Sequence, residues 1–327
     1  MKAKIATALV IVYVVWGSTY LAIAVADRSL PPLLMLAIRF ALAGGLLYAW
    51  SWWRGDVRVA RPGLREWGAA AIVGGLLLFV DTGGIAWAEQ RVASGLTALL
   101  VATVPLFTAL LDRTVFGIRL SLGAIGGIAT GLLGVALLAG PSAHVDRVGA
   151  AVILLAAFAW AAGSAYARVA PLPKAPFLSA AMQMLAAALF LAVAGAASGE
   201  VGRVHPAAIS AGSALAFAYL IVFGSIVAFT AYGWLLRSGA PSVLVSTYAY
   251  VNPAVAVLLG WALVGERVDG RMLAAGAVIL SSVGMLVLAR QPKAEPAPVE
   301  DGADPYVPRR EERPYRPQLA DLRHAPR

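Results

Sequence analysis

Apolar runs of about 20 residues recur along this chain, each long enough to cross the roughly 30 Å hydrocarbon core of a bilayer as a helix. Lipid offers backbone amides no hydrogen-bond partners, so a chain of this kind is confined to a bundle of helices. The runs fall at about 5–25, 33–53, 66–87, 92–112, 119–139, 147–168, 177–197, 213–235, 240–264 and 271–290, which predicts ten spans. The links between them are short, so sequential helices should be antiparallel neighbours. Hydrophobic residues make up 60% of the 327 and charged residues 13%, too apolar a balance for a water-soluble fold, where about 25% are charged.

The first run follows Lys2 and Lys4 and contains the small-residue pattern Ala22-Ile23-Ala24, which invites a signal-peptide reading. It is longer than a signal core and carries Tyr13, Trp16 and Tyr20, so it is read as a retained span. The formal charge of +9 does not imply nucleic acid, because the basic residues punctuate links instead of clustering on a polar domain. With the N-terminus inside, the inner segments hold Lys2, Lys4, Arg54, Arg58, Arg61, Arg65, Arg113, Arg119, Arg168, Lys174, Arg237, Arg290 and Lys293. The outer links hold Arg28, Arg91, Arg147, Arg203, Arg267 and Arg271, so the positive-inside rule predicts that both termini are cytoplasmic. Residues 291–327 turn abruptly to proline and charge and are expected to be a disordered cytoplasmic tail.

An internal repeat sharpens the fold. Pro105 and Pro253 lie 148 residues apart, and the same offset matches Gly117-Ile118-Arg119 with Gly265-Glu266-Arg267. Further on, Gly126 and Gly134 match Gly276 and Gly284, while Gly17-Ser18-Thr19-Tyr20 resembles Gly163-Ser164-Ala165-Tyr166. A repeat of five spans is odd-numbered, so its copies must cross the membrane in opposite senses. Inverted repeats of this kind build a site near the midplane and rock about it to give alternating access.

The segments WGSTYLAIAVA, LPPLLMLAIRFALAGGLL, WAEQRVASGLTALLVATVPLFTALL and NPAVAVLLGWALVGE resemble the EamA-type branch of the drug/metabolite transporter superfamily, over roughly residues 5–290. The resemblance implies a ten-helix carrier of two inverted five-helix repeats, residues 1–140 and 141–290, that exports amino acids, related metabolites or drugs. Two departures stand out: Asp81 replaces a neutral polar residue, and the first copy reads GIR where GER is usual. The first bears on coupling or substrate charge.

Arg39 and Asp81 are the charges deepest within predicted spans, each about 9 Å below an outer helix end at 1.5 Å per residue. A charge in the membrane costs at least about 3 kcal/mol, so the two are expected to pair or to face one polar cavity. Their counterparts in the second copy are Gln183 and Phe229, so charge is confined to one half. Pro105 and Pro253 should mark two mirror-related breaks flanking the cavity and free the carbonyls of Val101 and Ala249, and Asn252 adds a polar group that would be expensive facing lipid.

The remaining candidates for substrate binding or gating are Trp16, Thr19, Tyr20, Trp87, Trp160, Ser164, Tyr166, Tyr232, Trp234 and Tyr248, with Glu89 and Gln90 as an outer mouth. Trp52, Trp53 and Trp67 sit near span ends and read as interface anchors. Gly123, Gly127 and Gly131 form a GxxxG face suited to close packing within the bundle or to a homodimer.

The chain has no cysteine, and His144, His205 and His324 fall in links or tail, without HExxH, GxSxG or Walker A patterns. No enzyme, metal site or cofactor is therefore implied. Expected partners are a small-molecule substrate, the lipid bilayer and protons as coupling ion, in the cytoplasmic membrane of a prokaryote. Facilitative uptake or exchange is the alternative within transport, and a scramblase or channel the alternative outside it.

Overall fold

The computed structural model describes residues 2–26, 30–92, 94–139, 146–204, 209–259, 262 and 269–289. The predicted tail and the links holding Arg28, Arg267 and the three histidines lie outside these residues. Among the described residues all regular structure is helical. Nine helices are long and apolar enough to cross a membrane: α1 (Ala3–Ile23), α2 (Pro32–Trp53), α3 (Leu64–Ala88), α4 (Thr97–Val115), α6 (Arg147–Ala167), α7 (Pro176–Ala197), α8 (Ala211–Arg237), α9 (Ser242–Leu259) and α10 (Gly270–Leu288). The tenth, α5 (Leu122–Leu137), is apolar but shorter.

The bundle has an apolar core, and its outer faces are apolar as well. Leu42, Leu46, Leu106, Leu110, Leu133, Leu189, Leu215, Leu273 and Leu280 are exposed on helix faces, while Arg39, Asp81, Asp112, Gln183 and Asn252 are buried. That polarity is what a hydrocarbon surround selects, since leucine gains nothing by leaving lipid and a charge does. Trp52 and Trp53 stand exposed at the last turn of α2, as interface anchors do.

Helix pairing carries the repeat into three dimensions. The most extensive contacts join α2 to α7 and α5 to α10, followed by α1 with α8 and α9, α6 with α3 and α4, α3 with α7 and α2 with α8. Replacing each helix by the one five places away leaves this set of contacts unchanged.

Glycines make the closest approaches. A Cβ on Gly74 would lie 2.2 Å from the Gln183 carbonyl oxygen, so α3 and α7 touch backbone to backbone. One on Gly127 would meet Leu286 at 2.7 Å and one on Gly131 the Tyr250 ring at 2.5 Å. The GxxxG face of α5 is thus occupied by α10 and α9 of the same chain.

Four helices depart from α geometry. In α3 residues Gly75–Gly83 are π-helical, and in α8 residues Leu220–Phe229 are. The wider turn in α3 shows in a side-chain bond, Thr82 Oγ1 donating to the Leu77 carbonyl at 3.2 Å, five residues back.

Helix α4 breaks at Ala102–Thr103 and α9 at Ser246–Thr247. Pro105 occupies the first turn of the resumed helix in α4, where its missing amide costs nothing. Pro253, expected to mark the second break, lies inside a continuous helical stretch, Tyr248–Leu259. At both breaks hydroxyls meet carbonyls three residues back, Thr103 to Leu100 at 2.6 Å and Thr247 to Leu244 at 2.7 Å. Threonine and serine, more than proline, therefore satisfy the backbone at these points.

Candidate functional site

One cavity of about 570 Å³ is lined from α1 to α6 and from α8 and α9. Along α3 it is bordered by Leu78, Asp81, Thr82, Ile85 and Glu89, a run at helical spacing that reaches the link after Ala88. Facing walls come from Val101 and Val104 of α4 and from Asn252, Pro253, Ala256 and Val257 of α9. We call the end at Glu89 the mouth.

The floor is aromatic. Trp16, Trp160, Tyr232 and Tyr248 touch pairwise, with centroids from 5.1 to 6.0 Å apart, three of the pairs edge-on. Edge-to-face rings exchange a positive edge for a negative face, which holds their orientation better than stacking would. Hydrogen bonds lock the set: Trp160 Nε1 donates to Tyr232 Oη at 2.7 Å, and the Ser164 and Tyr232 hydroxyls lie 2.7 Å apart. Trp16 Nε1 donates at 3.1 Å to the carbonyl of Gly224, inside the π-helical part of α8. Tyr13 and Thr247 share a hydroxyl hydrogen bond, joining α1 to α9. The Asn252 amide reinforces that joint in the orientation its neighbours dictate, with its nitrogen toward the carbonyls of Tyr248 at 3.1 Å and Tyr13 at 3.3 Å.

Tyr232→Phe keeps the ring but strips the partner of Trp160 Nε1. A buried unsatisfied donor costs about 1–3 kcal/mol, so the variant should melt earlier in detergent and show altered tryptophan fluorescence.

Arg39 and Asp81 both border the cavity and are 6% and 7% exposed, yet among the described residues they form no ion pair within 4.0 Å. Direct pairing is therefore not what holds them; the shared cavity is. Arg39 Nε donates to Ser225 Oγ at 2.7 Å, and its guanidinium lies 5.3 Å from the Phe40 ring centre. Gly224 lets it lie there, because a Cβ would come within 2.7 Å of its Nη2. Among the described residues no cation lies within salt-bridge distance of Asp81. One basic and one acidic side chain thus border a common space without pairing with each other.

Of the other expected residues, Thr19 lines the cavity and is buried, its hydroxyl returned to the Trp16 carbonyl at 2.6 Å. The Tyr20 side chain lies outside the described residues. Trp87 does not line the cavity; it packs against the cluster of Ala88, Val92 and Ile153, and Arg91 stacks on it at 4.1 Å. Gln90 is exposed in the link and Pro105 is buried, neither lining the cavity, in contrast to their neighbours Glu89 and Val104. Tyr166 packs at the edge of the main core. Trp234 borders a second, smaller cavity of about 240 Å³ with Gln183 and Tyr232, reached on the far side of Phe229.

Sequence reasoning missed Thr82, Ser225 and Gly224, which sit in the two π segments. Their one visible signal was glycine flanking an apolar run in both copies.

A helical bundle with lipid-facing leucines, an internal repeat and a central cavity defines a membrane transporter. The family profile of the EamA-like transporter family matches residues 3–140 and again 147–288, and this chain belongs to that family. It is 41% identical to the "Uncharacterized inner membrane transporter YedA" of Escherichia coli (strain K12) over 296 residues, covering 88% of this chain and 94% of that one. It is 27% identical to the "Probable terminal-alkyne amino-acid exporter" of Streptantibioticus cattleyicolor, covering 87% of this chain and 93% of that one. A crystal structure 21% identical in sequence superposes with a TM-score of 0.73 over 88% of this chain and 98% of the other, sharing its fold.

Proposed function

We propose that this chain is a secondary-active exporter of small amphipathic metabolites, amino acids or close relatives and also drugs, working by alternating access across a prokaryotic inner membrane. The observation that supports it most is the unpaired Arg39 and Asp81 across one cavity with an aromatic floor. A zwitterion would satisfy both, its carboxylate on Arg39 and its ammonium on Asp81, with an apolar side chain against Trp16 and Trp160. The name of the Streptantibioticus cattleyicolor relative agrees with that class.

Coupling rests on competition. A proton and a substrate amine both claim the Asp81 carboxylate, and a site that takes one or the other returns with a proton after releasing substrate. Intramembrane carboxylates serve as such relays in transporters. The charge bias of the links favours both termini in the cytoplasm and the mouth outside.

Counterflow in liposomes of purified protein tests the reading, with radiolabelled amino acids and cationic drugs at two pH values. Saturable counterflow that changes with pH is expected. Counterflow insensitive to pH would leave a facilitative exchanger, and phospholipid movement without solute movement would sink the carrier reading altogether.

A further inference from the structure

We propose that Asp112, Arg168 and Ser242 are the latch that keeps the end opposite the mouth shut, and that it biases the carrier toward the mouth-open state. The inference rests on the alternating-access reading above and adds residues that the cavity does not contain.

Asp112 sits near the end of α4 with its side chain 2% exposed. Its Oδ1 accepts from Arg168 Nη1 at 2.6 Å and from Ser242 Oγ at 3.2 Å. Arg168 caps the end of α6, and Ser242 opens α9, so one carboxylate oxygen ties three helices from both halves of the chain. The Phe116 ring lies 4.2 Å from the Arg168 guanidinium carbon and covers it from one side. Leu235 in the last turn of α8 and Val243 and Val245 in the first turn of α9 are buried as well.

Each latched helix also reaches the cavity: α4 through Val104, α6 through Trp160, α9 through Tyr248 and Asn252. A ligand that moves those side chains therefore loads the latch directly. Arg168 remains 24% exposed, so water can reach the pair and release it.

The repeat gives this latch no counterpart at the matched positions of the mouth. The 148-residue offset that matches the prolines sets Gly260 against Asp112 and Ser94 against Ser242, and the 144-residue offset of Trp16 and Trp160 sets Ala24 against Arg168. Closing the mouth thus forms no mirror-image ion pair, whereas opening the far end must break one whose anion is buried. Breaking such a pair leaves an uncompensated charge, so the two ends open at different cost.

Because the chain contains no cysteine, single-cysteine reporters need no background correction. Thr108→Cys places a buried reporter one turn from Asp112, and Ala98→Cys places one in the cavity wall near the mouth. Labelling rates with a membrane-impermeant methanethiosulfonate are read in nanodiscs with and without Asp112→Asn. The expected result is at least a fivefold rise at Thr108→Cys together with a fall at Ala98→Cys, both reversed in the charge-swapped Asp112→Arg/Arg168→Asp pair. Unchanged labelling at Thr108→Cys overturns the latch, even if melting temperature drops, since the pair would then be structural only. A rise at both reporters also overturns it, as general loosening. No solute enters this measurement, so active counterflow with unmoved labelling rejects the latch alone. Shifted labelling with silent counterflow rejects the carrier reading and leaves the gate.

Discussion

Asp81→Asn is expected to cut counterflow at least tenfold and to flatten its dependence on pH. The substitution keeps the size of the side chain and removes the charge, so packing against Leu78 and Ile85 is left alone. A charge-assisted hydrogen bond is worth about 1.5–3 kcal/mol, and 1.4 kcal/mol is a factor of ten in affinity. Loss of that bond to a substrate amine accounts for the drop. Loss of the exchangeable proton accounts for the flattening. Unchanged rate and pH profile in the variant would take Asp81 out of the mechanism and leave Arg39 as a lone anion-binding group.

The same pair offers a control on the geometry. Arg39 and Asp81 make no direct ion pair, so Arg39→Gln and Asp81→Asn should act additively on the thermal stability of the ligand-free protein. In the presence of a zwitterionic ligand, which would touch both, the effects on affinity should stop adding. A strong coupling without ligand would mean that the two charges meet in solution.

The largest effect on stability is expected at Gly74→Ala. The new methyl would sit 2.2 Å from the Gln183 carbonyl oxygen and 2.9 Å from its carbon, both of them backbone of α7. No rotamer can relieve a contact between two main chains, so α3 and α7 would have to part along much of their length. Overpacking typically costs about 1–3 kcal/mol, and a backbone clash belongs at the upper end or beyond. Gly68→Ala, nearly two turns earlier on the same helix, meets nothing within 4 Å and is the matched control. It should melt as the parent does or slightly later, because alanine is the better helix former by about 1 kcal/mol. Equal melting temperatures for the two variants would refute the close approach.

Much of this architecture could be read from residues alone, for a physical reason. Lipid imposes a length and an apolar composition on every span, so nine predicted segments meet helices that satisfy both requirements and the tenth falls on α5. Trp16 and Trp160 were recognisable because they recur at matched positions deep within spans, away from the interfaces that ordinarily hold tryptophan. Arg39 and Asp81 announced themselves by the cost of placing a charge there. What composition cannot carry is rotation about a helix axis. Glu89 lines the cavity while Gln90 is exposed in the link, though the two are equally polar neighbours. Trp87 packs against the cluster of Ala88, Val92 and Ile153 and leaves the cavity to Ile85. Proline misled for a related reason: Pro253 sits within a helix that continues past it, and the chain breaks where Ser246 and Thr247 can bond backwards. Arg168 counted only among the inner-end basic residues and Asp112 only as the end of a span, since nothing in one dimension shows that α4 and α6 finish side by side.

The π-helical stretches of α3 and α8 carry a consequence for changes of length. A π turn holds one residue more than the α turn it replaces. Deleting a single leucine from 76–78 would let the segment rewind as α-helix with Asp81 still turned to the cavity, because the lost residue is the one the wider turn had absorbed. Inserting one alanine after Gly68, where the helix is plain α and has no slack, would instead swing the Asp81 end of α3 by about 100° relative to its Leu64 end. The π turn works as slack in the helix: the deletion should keep the transport that the insertion silences, in two proteins of nearly the same hydropathy and span length.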